Sequence, residues 1–151
     1  MKIITKNKKI FYDFQVLDKY EAGIELLGHE VKSVKAGQVK IDGAYILFKG
    51  NEAYLIGAHI APWKFKAPDA ADDPYRKRRL LLKKKEINYL RGKSAMQGLT
   101  IKPISVYTTS HGLIKLELAV VKGKQKFDKR ESIKKRDIER ETRQTMKRTV
   151  R

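Results

Sequence analysis

LIKLELAVV, residues 113–121, is the stretch on which the fold turns. Ile114, Leu116, Leu118 and Val120 fall on one side of an extended chain, and Lys115 and Glu117 on the other. A period of two held over this length predicts a β-strand with one buried face. Just before it, Ser110-His111-Gly112 supplies a turn and ISVYT, 104–108, the first arm of a hairpin.

Working outward, Asp73-Pro74 pairs a good helix N-cap with a good first helical residue. A helix is expected from about 74 to about 96, closed by Gly98, with Leu80, Ile87 and Leu90 inward and Arg76, Lys77, Lys83 and Lys84 outward. A polar loop, DAADDPY at 69–75, precedes it. AYILFK, 44–49, and AYLIGAHI, 53–60, flank Gly50-Asn51 and read as a second hairpin. GHEVKSVKAG, 28–37, reads as a short helix, with Val31 and Val34 on one face and Gly37 suited to the left-handed position past its end. Ile10, Tyr12, Phe14 and Val16 alternate with Phe11, Asp13 and Gln15, the mark of a strand. That strand is expected to resume at Ile24 and Leu26 after a glycine bulge at Ala22-Gly23.

The sum is a mainly β, α+β domain of five or six antiparallel strands with two to three packed helices. A sheet that small avoids open edges best by closing on itself. A small β-barrel of the oligonucleotide-binding type is therefore expected over residues 1–121, followed by a basic C-terminal tail, 122–151.

Charge dominates the composition. The net charge is +18 over 151 residues, and residues 122–151 alone hold 13 Lys and Arg against 5 Asp and Glu. That tail thus carries +8, and the body keeps the remaining +10. An excess of this size favours a polyanionic partner, nucleic acid before anionic membrane. Cysteine is absent, which excludes disulfides, thiolate catalysis and Cys-ligated zinc. The N-terminal MKIITKNKKIFYDF lacks the apolar centre of a signal peptide, and no apolar run is long enough to span a membrane. A soluble, cytosolic protein without a membrane partner is expected.

The signs of catalysis are thin. His29, His59 and His111 are scattered without metal-ligand spacing, no Gly-rich phosphate loop is present, and Glu21, Glu25 and Glu30 form no obvious catalytic pair. No catalytic residue, metal or cofactor is expected. The signs of RNA binding are stronger. Lys6, Lys8 and Lys9 surround Asn7, Lys32 lies in the short helix, and Arg76, Arg78, Lys83 and Lys84 lie in the 76–85 basic run. Phe11, Tyr12, Trp63, Phe65 and Phe127 lie among the basic residues. Aromatic rings stack on bases while Lys and Arg meet phosphates. Glu21, set in this basic field, can accept hydrogen bonds from a base edge or a 2′-hydroxyl.

Four stretches together resemble the SsrA-binding protein family, also called small protein B. They are YEAGIELLGHEVKSVKAG at 20–37, YRKRRLLLKKKEI at 75–87, GLTIKPISVY at 98–107 and LAVVKGKQKFDKRESIKKRD at 118–137. Order and spacing match from about Ile3 to Lys147. The resemblance implies a monomeric RNA-binding partner of transfer-messenger RNA. Such a protein grips the tRNA-like domain of that RNA and brings it to ribosomes stalled on messages without a stop codon, for trans-translation. It implies no enzymatic activity.

Residue by residue, the resemblance implies RNA contacts at Asn7 and Glu21, and helix anchoring at Leu80, Leu81 and Leu82. It implies ribosome contacts in the tail at Lys124, Phe127, Asp128, Lys129 and Arg130, continuing through Lys134, Lys135, Arg136 and Met146, with Gly123 as hinge. Trp63 stands where the family usually has Tyr, and Lys83 where it usually has His. Ala71-Asp72 replaces Asn-His, and Gly43 an Asp. The tail offers only sparse apolar residues, Ile133, Ile138 and Met146, too few for a helix packed on the body. It is expected to be disordered when free and helical between RNA walls on the ribosome. A generic ribosomal protein of the same barrel type, binding ribosomal RNA, is the competing reading.

Overall fold

A computed structural model describes residues 1–64 and 73–124. Nine strands and three short helices follow one another among these residues. β1 is Lys2–Lys6, α1 Ile10–Asp13, β2 Phe14–Ile24, α2 Gly28–Lys35, β3 Val39–Lys40, β4 Tyr45–Lys49, β5 Glu52–Ile56 and β6 His59–Ile60. β7 is Arg78–Leu81, α3 Lys84–Ser94, β8 Leu99–Thr108 and β9 Ile114–Gly123. Seven strands form one antiparallel sheet in the order β1-β8-β9-β2-β7-β5-β4, while β3 and β6 pair separately. Among the described residues no helix is long and apolar enough to cross a membrane.

β9 carries the pattern that its sequence announces. Leu116, Leu118 and Val120 are fully buried in the main core, with Ile114 packed against it. The opposite row is half covered as well. Ala119 and Val121 are buried with Ile10 and Ile104 in a second, smaller core that Phe14 and Val16 border. α1 supplies the Ile10 of that core, so the expected strand across residues 10–13 is one turn of helix. The alternation there is real, but Ile10 is used as a plug on the outer face of the sheet.

β2 begins at Phe14 and pairs with β9 without interruption through Ala22 and Gly23. The expected bulge is absent there and lies between Val16 and Asp18 instead. An inserted residue reverses which side chains face the core. Before it, Val16 borders the outer core; after it, Tyr20 and Ala22 point to the main core and Lys19 and Glu21 point outward. Gly23 serves a different purpose. A Cβ at this position would sit 3.3 Å from Cβ of Leu81 on the neighbouring β7.

The long helix expected over 74–96 is divided. Arg78–Leu81 is a strand between β5 and β2, with Leu80 buried and Leu81 exposed. Leucine and arginine favour helix, but two neighbouring strands here lack a partner, and pairing overrides propensity. Asp73-Pro74 forms a turn in which the Asp73 carboxylate accepts the Tyr75 N–H at 2.9 Å. Helix starts only after Lys83, whose backbone N–H donates to Glu86 Oε1 at 3.1 Å. Ile87 and Leu90 then face the core as expected.

The expected hairpin is present as β4 and β5, turning at Gly50 with φ +60°, but its second arm stops at Ile56 rather than running to Ile60: the chain turns at the left-handed Gly57, φ +79°, and His59–Ile60 pairs with β3 instead. α2 and the left-handed Gly37, φ +82°, also match expectation. Barrel closure does not. β4 lies against β8, yet the ladder ends at β1 on one side and β4 on the other, so the sheet is curled and open. The ladder also passes the expected domain boundary, because Lys122 and Gly123 pair with Gln15 and Phe14. The expected tail state, and with it Phe127, Asp128, Lys129, Arg130, Lys134, Lys135, Arg136 and Met146, lies outside the described residues, as does Phe65.

Candidate nucleic-acid interface

The outer face of β1, β8, β9 and β2 is organised by register. Ser105 pairs with Lys6 on one side and Glu117 on the other, and Glu117 pairs with Glu21. Tyr107 pairs with Ile3 and Lys115 in the next row. Two glutamates directly opposed across a ladder repel, and the face answers with donors. Lys19 Nζ lies 3.8 Å from Glu117 Oε1, and Ser105 Oγ donates to Glu117 Oε2 at 3.2 Å. Tyr107 is 7% exposed. Burial first, then the neighbouring Glu21 carboxylate, pushes its phenol far above the ordinary tyrosine range. Between these groups lies a cleft of about 300 Å³, walled by Met1, Ile3 and Tyr20 as well.

One end of this face carries the N-terminal cations. Asn7 donates its backbone N–H to Ile104 O at 2.7 Å and is buried, and its side-chain Oδ1 has no partner in the protein. Asn7 thus fixes the arm to β8, while Lys6, Lys8 and Lys9 around it are exposed. The half-exposed ring of Phe11 lies beneath two ammonium groups, Lys6 at 5.6 Å and Lys19 at 5.7 Å. Lys102, which the sequence did not single out, sits 5.1 Å over Phe14. Its side of the strand could be read only once the bulge in β8 between Pro103 and Ser105 was known. Lys124 is tied to the same end, its N–H to Asp13 O and its Nζ to Phe11 O, both at 3.1 Å.

The remaining candidates divide. Lys83 and Lys84 are exposed at the start of α3, and Lys32 is exposed on α2. Arg78 is not on the surface at all. Its side chain is 1% exposed and its guanidinium is spent inside, on Glu30 Oε2 at 2.9 and 2.6 Å, Ala58 O at 3.1 Å and Pro74 O at 3.0 Å. A phosphate cannot reach it, so its expected place among the RNA contacts is corrected to an internal brace. Arg76 is part-exposed and joins the same carboxylate at 2.6 Å. Burial would raise the Glu30 carboxyl, but Arg76, the Leu27 N–H and Arg78 outweigh it and hold it below its ordinary value of 4.5. Glu30 has a second task, accepting the Leu27 N–H at 2.8 Å to cap α2. Nothing in the sequence distinguishes Arg78 from Arg79; the inward phase of β7 does. Among the described residues no cluster of His, Cys, Asp or Glu has the make-up to hold a metal ion.

A family model described as SmpB protein matches residues 4–148. The chain belongs to the SmpB family. An SsrA-binding protein of Thermosipho melanesiensis is 48% identical over 147 residues, covering 97% of this chain and 99% of the relative. Another SmpB relative, the SsrA-binding protein of Elusimicrobium minutum, is 45% identical over 98% of this chain and 93% of its own length. A solved structure described as "tmRNA-SmpB: a journey to the center of the bacterial ribosome" contains a chain with a TM-score of 0.68 and 40% identity. The match covers 85% of this chain and 93% of that one.

Proposed function

We propose that this chain binds the tRNA-like domain of transfer-messenger RNA and delivers it to stalled ribosomes for trans-translation. One observation carries the reading: full-length kinship with SsrA-binding proteins, in a chain whose outer sheet face joins exposed lysines, an aromatic ring and an outward glutamate. It acts by binding and positioning, not by catalysis, and works in the cytoplasm. The curled sheet is an open variant of the oligonucleotide-binding barrel.

In this reading Lys6, Lys8, Lys9 and Lys19 meet phosphates, Glu21 meets a base edge or a 2′-hydroxyl, and Asn7 holds the arm in place. Lys32, Arg76, Lys83 and Lys84 add flanking phosphate contacts. The segment beyond Lys124 addresses the ribosome, with Phe127 and Asp128-Lys129-Arg130 at the decoding centre. Labelled tRNA-like RNA competed with excess bulk tRNA tests the proposal. Retained binding is expected; complete displacement favours a general RNA-binding protein.

A further inference from the structure

We propose that Lys124 is a positioning residue that ties the root of the C-terminal segment to the N-terminal arm, so that the segment leaves the body at α1. The inference rests on the reading that the chain beyond Lys124 addresses the ribosome, and it names what fixes the point of departure. β9 pairs with β2 to its last residues, Lys122 opposite Gln15 and Gly123 opposite Phe14. Lys124 then donates its N–H to Asp13 O and its Nζ to Phe11 O, both at 3.1 Å.

The acceptors explain why a lysine stands here. α1 is a single turn, and the last carbonyls of a helix find no partner within it. Ile10 O accepts the Phe14 N–H at the helix end, while Phe11 O and Asp13 O are met by Lys124. Lysine side chains commonly bond the last carbonyls of a helix; this one arrives from the far end of the domain. The turn it binds is itself fixed. Ile10 is 1% exposed and packed with Ile104, Ala119 and Val121 in the outer core, so Lys124 is tied to the body and not to a loose arm.

Gly123, expected as the hinge, does not act as one. It is paired in the ladder, its φ is not left-handed, and a Cβ built there would meet nothing within 4 Å. Neither strain nor crowding calls for glycine at this position. Phe11 joins the two ends of the molecule instead. Its carbonyl holds Lys124, while its ring lies beneath the ammonium groups of Lys6 and Lys19. RNA seated on those lysines and the departing segment are thereby held in one fixed relation. A root ordered in advance also lowers the entropy lost when the segment is bound.

The test uses the full-length protein and three readings: amide hydrogen exchange at residue 124 by NMR, binding of a labelled tRNA-like RNA, and tagging in a reconstituted translation assay. The amide of Lys124 should be protected in the unaltered protein. Lys124→Met keeps the backbone bond and loses the Nζ bond. Its amide should exchange several-fold faster and its tagging fall several-fold, while RNA affinity stays within about 2-fold. Lys124→Arg, which keeps a donor, should restore both. Gly123→Ala should leave all three readings within about 2-fold of the unaltered protein. An unprotected amide at Lys124 overturns the tie. So does lost tagging in Lys124→Met with full protection retained, which would assign the lysine to a ribosomal phosphate. Undiminished tagging despite faster exchange overturns its role in positioning. Tagging by a chain truncated after Lys124 would remove the reading on which the inference rests, and amide protection would still judge the tie.

Discussion

Glu30 shows how a single residue can fix more than its own surroundings. Its carboxylate caps α2 and holds both Arg76 and Arg78, and Arg78 in turn binds the carbonyls of Ala58 and Pro74. One buried cluster thereby joins α2, the end of β5 and the approach to β7. Removing one partner strands buried charge, so Arg78→Ala should cost about 3–5 kcal/mol in urea denaturation. The Glu30 carboxyl is depressed, so the unfolded chain binds the proton more readily than the folded one. Its stabilising contribution is complete above about pH 4.5 and is lost as pH falls toward the folded value. Glu30→Gln should flatten the loss of stability between neutral pH and about pH 3, read by denaturation at each pH. Asn7 predicts the opposite balance. Its tie to Ile104 O is a backbone bond that alanine keeps and its Oδ1 is unpartnered, so Asn7→Ala should barely change the melting temperature, read by a thermal melt.

At the scale of elements, β7 is where local preference and tertiary demand disagree. RRLL would extend α3 backward if helix propensity decided. Lying between β5 and β2, it satisfies backbone groups on both sides and makes one continuous sheet. The strand phase gives a sharp contrast between adjacent leucines. Leu80→Ala should cost about 2–5 kcal/mol, because it empties a core site. Leu81→Ala should stay within about 0.5 kcal/mol, since that side chain is 52% exposed. Thermal melts of both variants check the difference. The bulge at Leu17 works on the same scale. It lets one strand serve the small outer core first and the main core afterward, and so turns Lys19 and Glu21 outward.

For the whole molecule, charge and shape divide the work. The lysines around Asn7 and over Phe11 gather at one end of the outer face, and Lys124, the root of the C-terminal segment, is tied to that same end. RNA affinity of the body should therefore fall steeply with salt, by about 0.7–0.9 log units per log unit of salt for each phosphate neutralised. Lys8→Ala should lower that slope by about one such unit, read from binding isotherms across a salt series. A chain truncated after Lys124 should retain RNA binding by the body and lose tagging in a reconstituted translation assay. Tagging by the truncated chain would separate the last residues from the proposed function.

The sequence by itself determined the two hairpins, the short helix before Gly37, the core rows of β9 and α3, and the cationic character of the partner surface. Each follows from periodicity, turn chemistry or charge, which are local quantities. Tertiary structure alone decided that residues 10–13 coil, that 78–81 extend, that the sheet stays open and that Arg78 faces inward. These depend on which strands lack a neighbour and where one extra residue reverses the phase, and neither is encoded within a single window of sequence. The outer face follows the same division. Its residue types were legible, but opposing Glu21 to Glu117 and bringing Tyr107 to Glu21 required the register between distant strands.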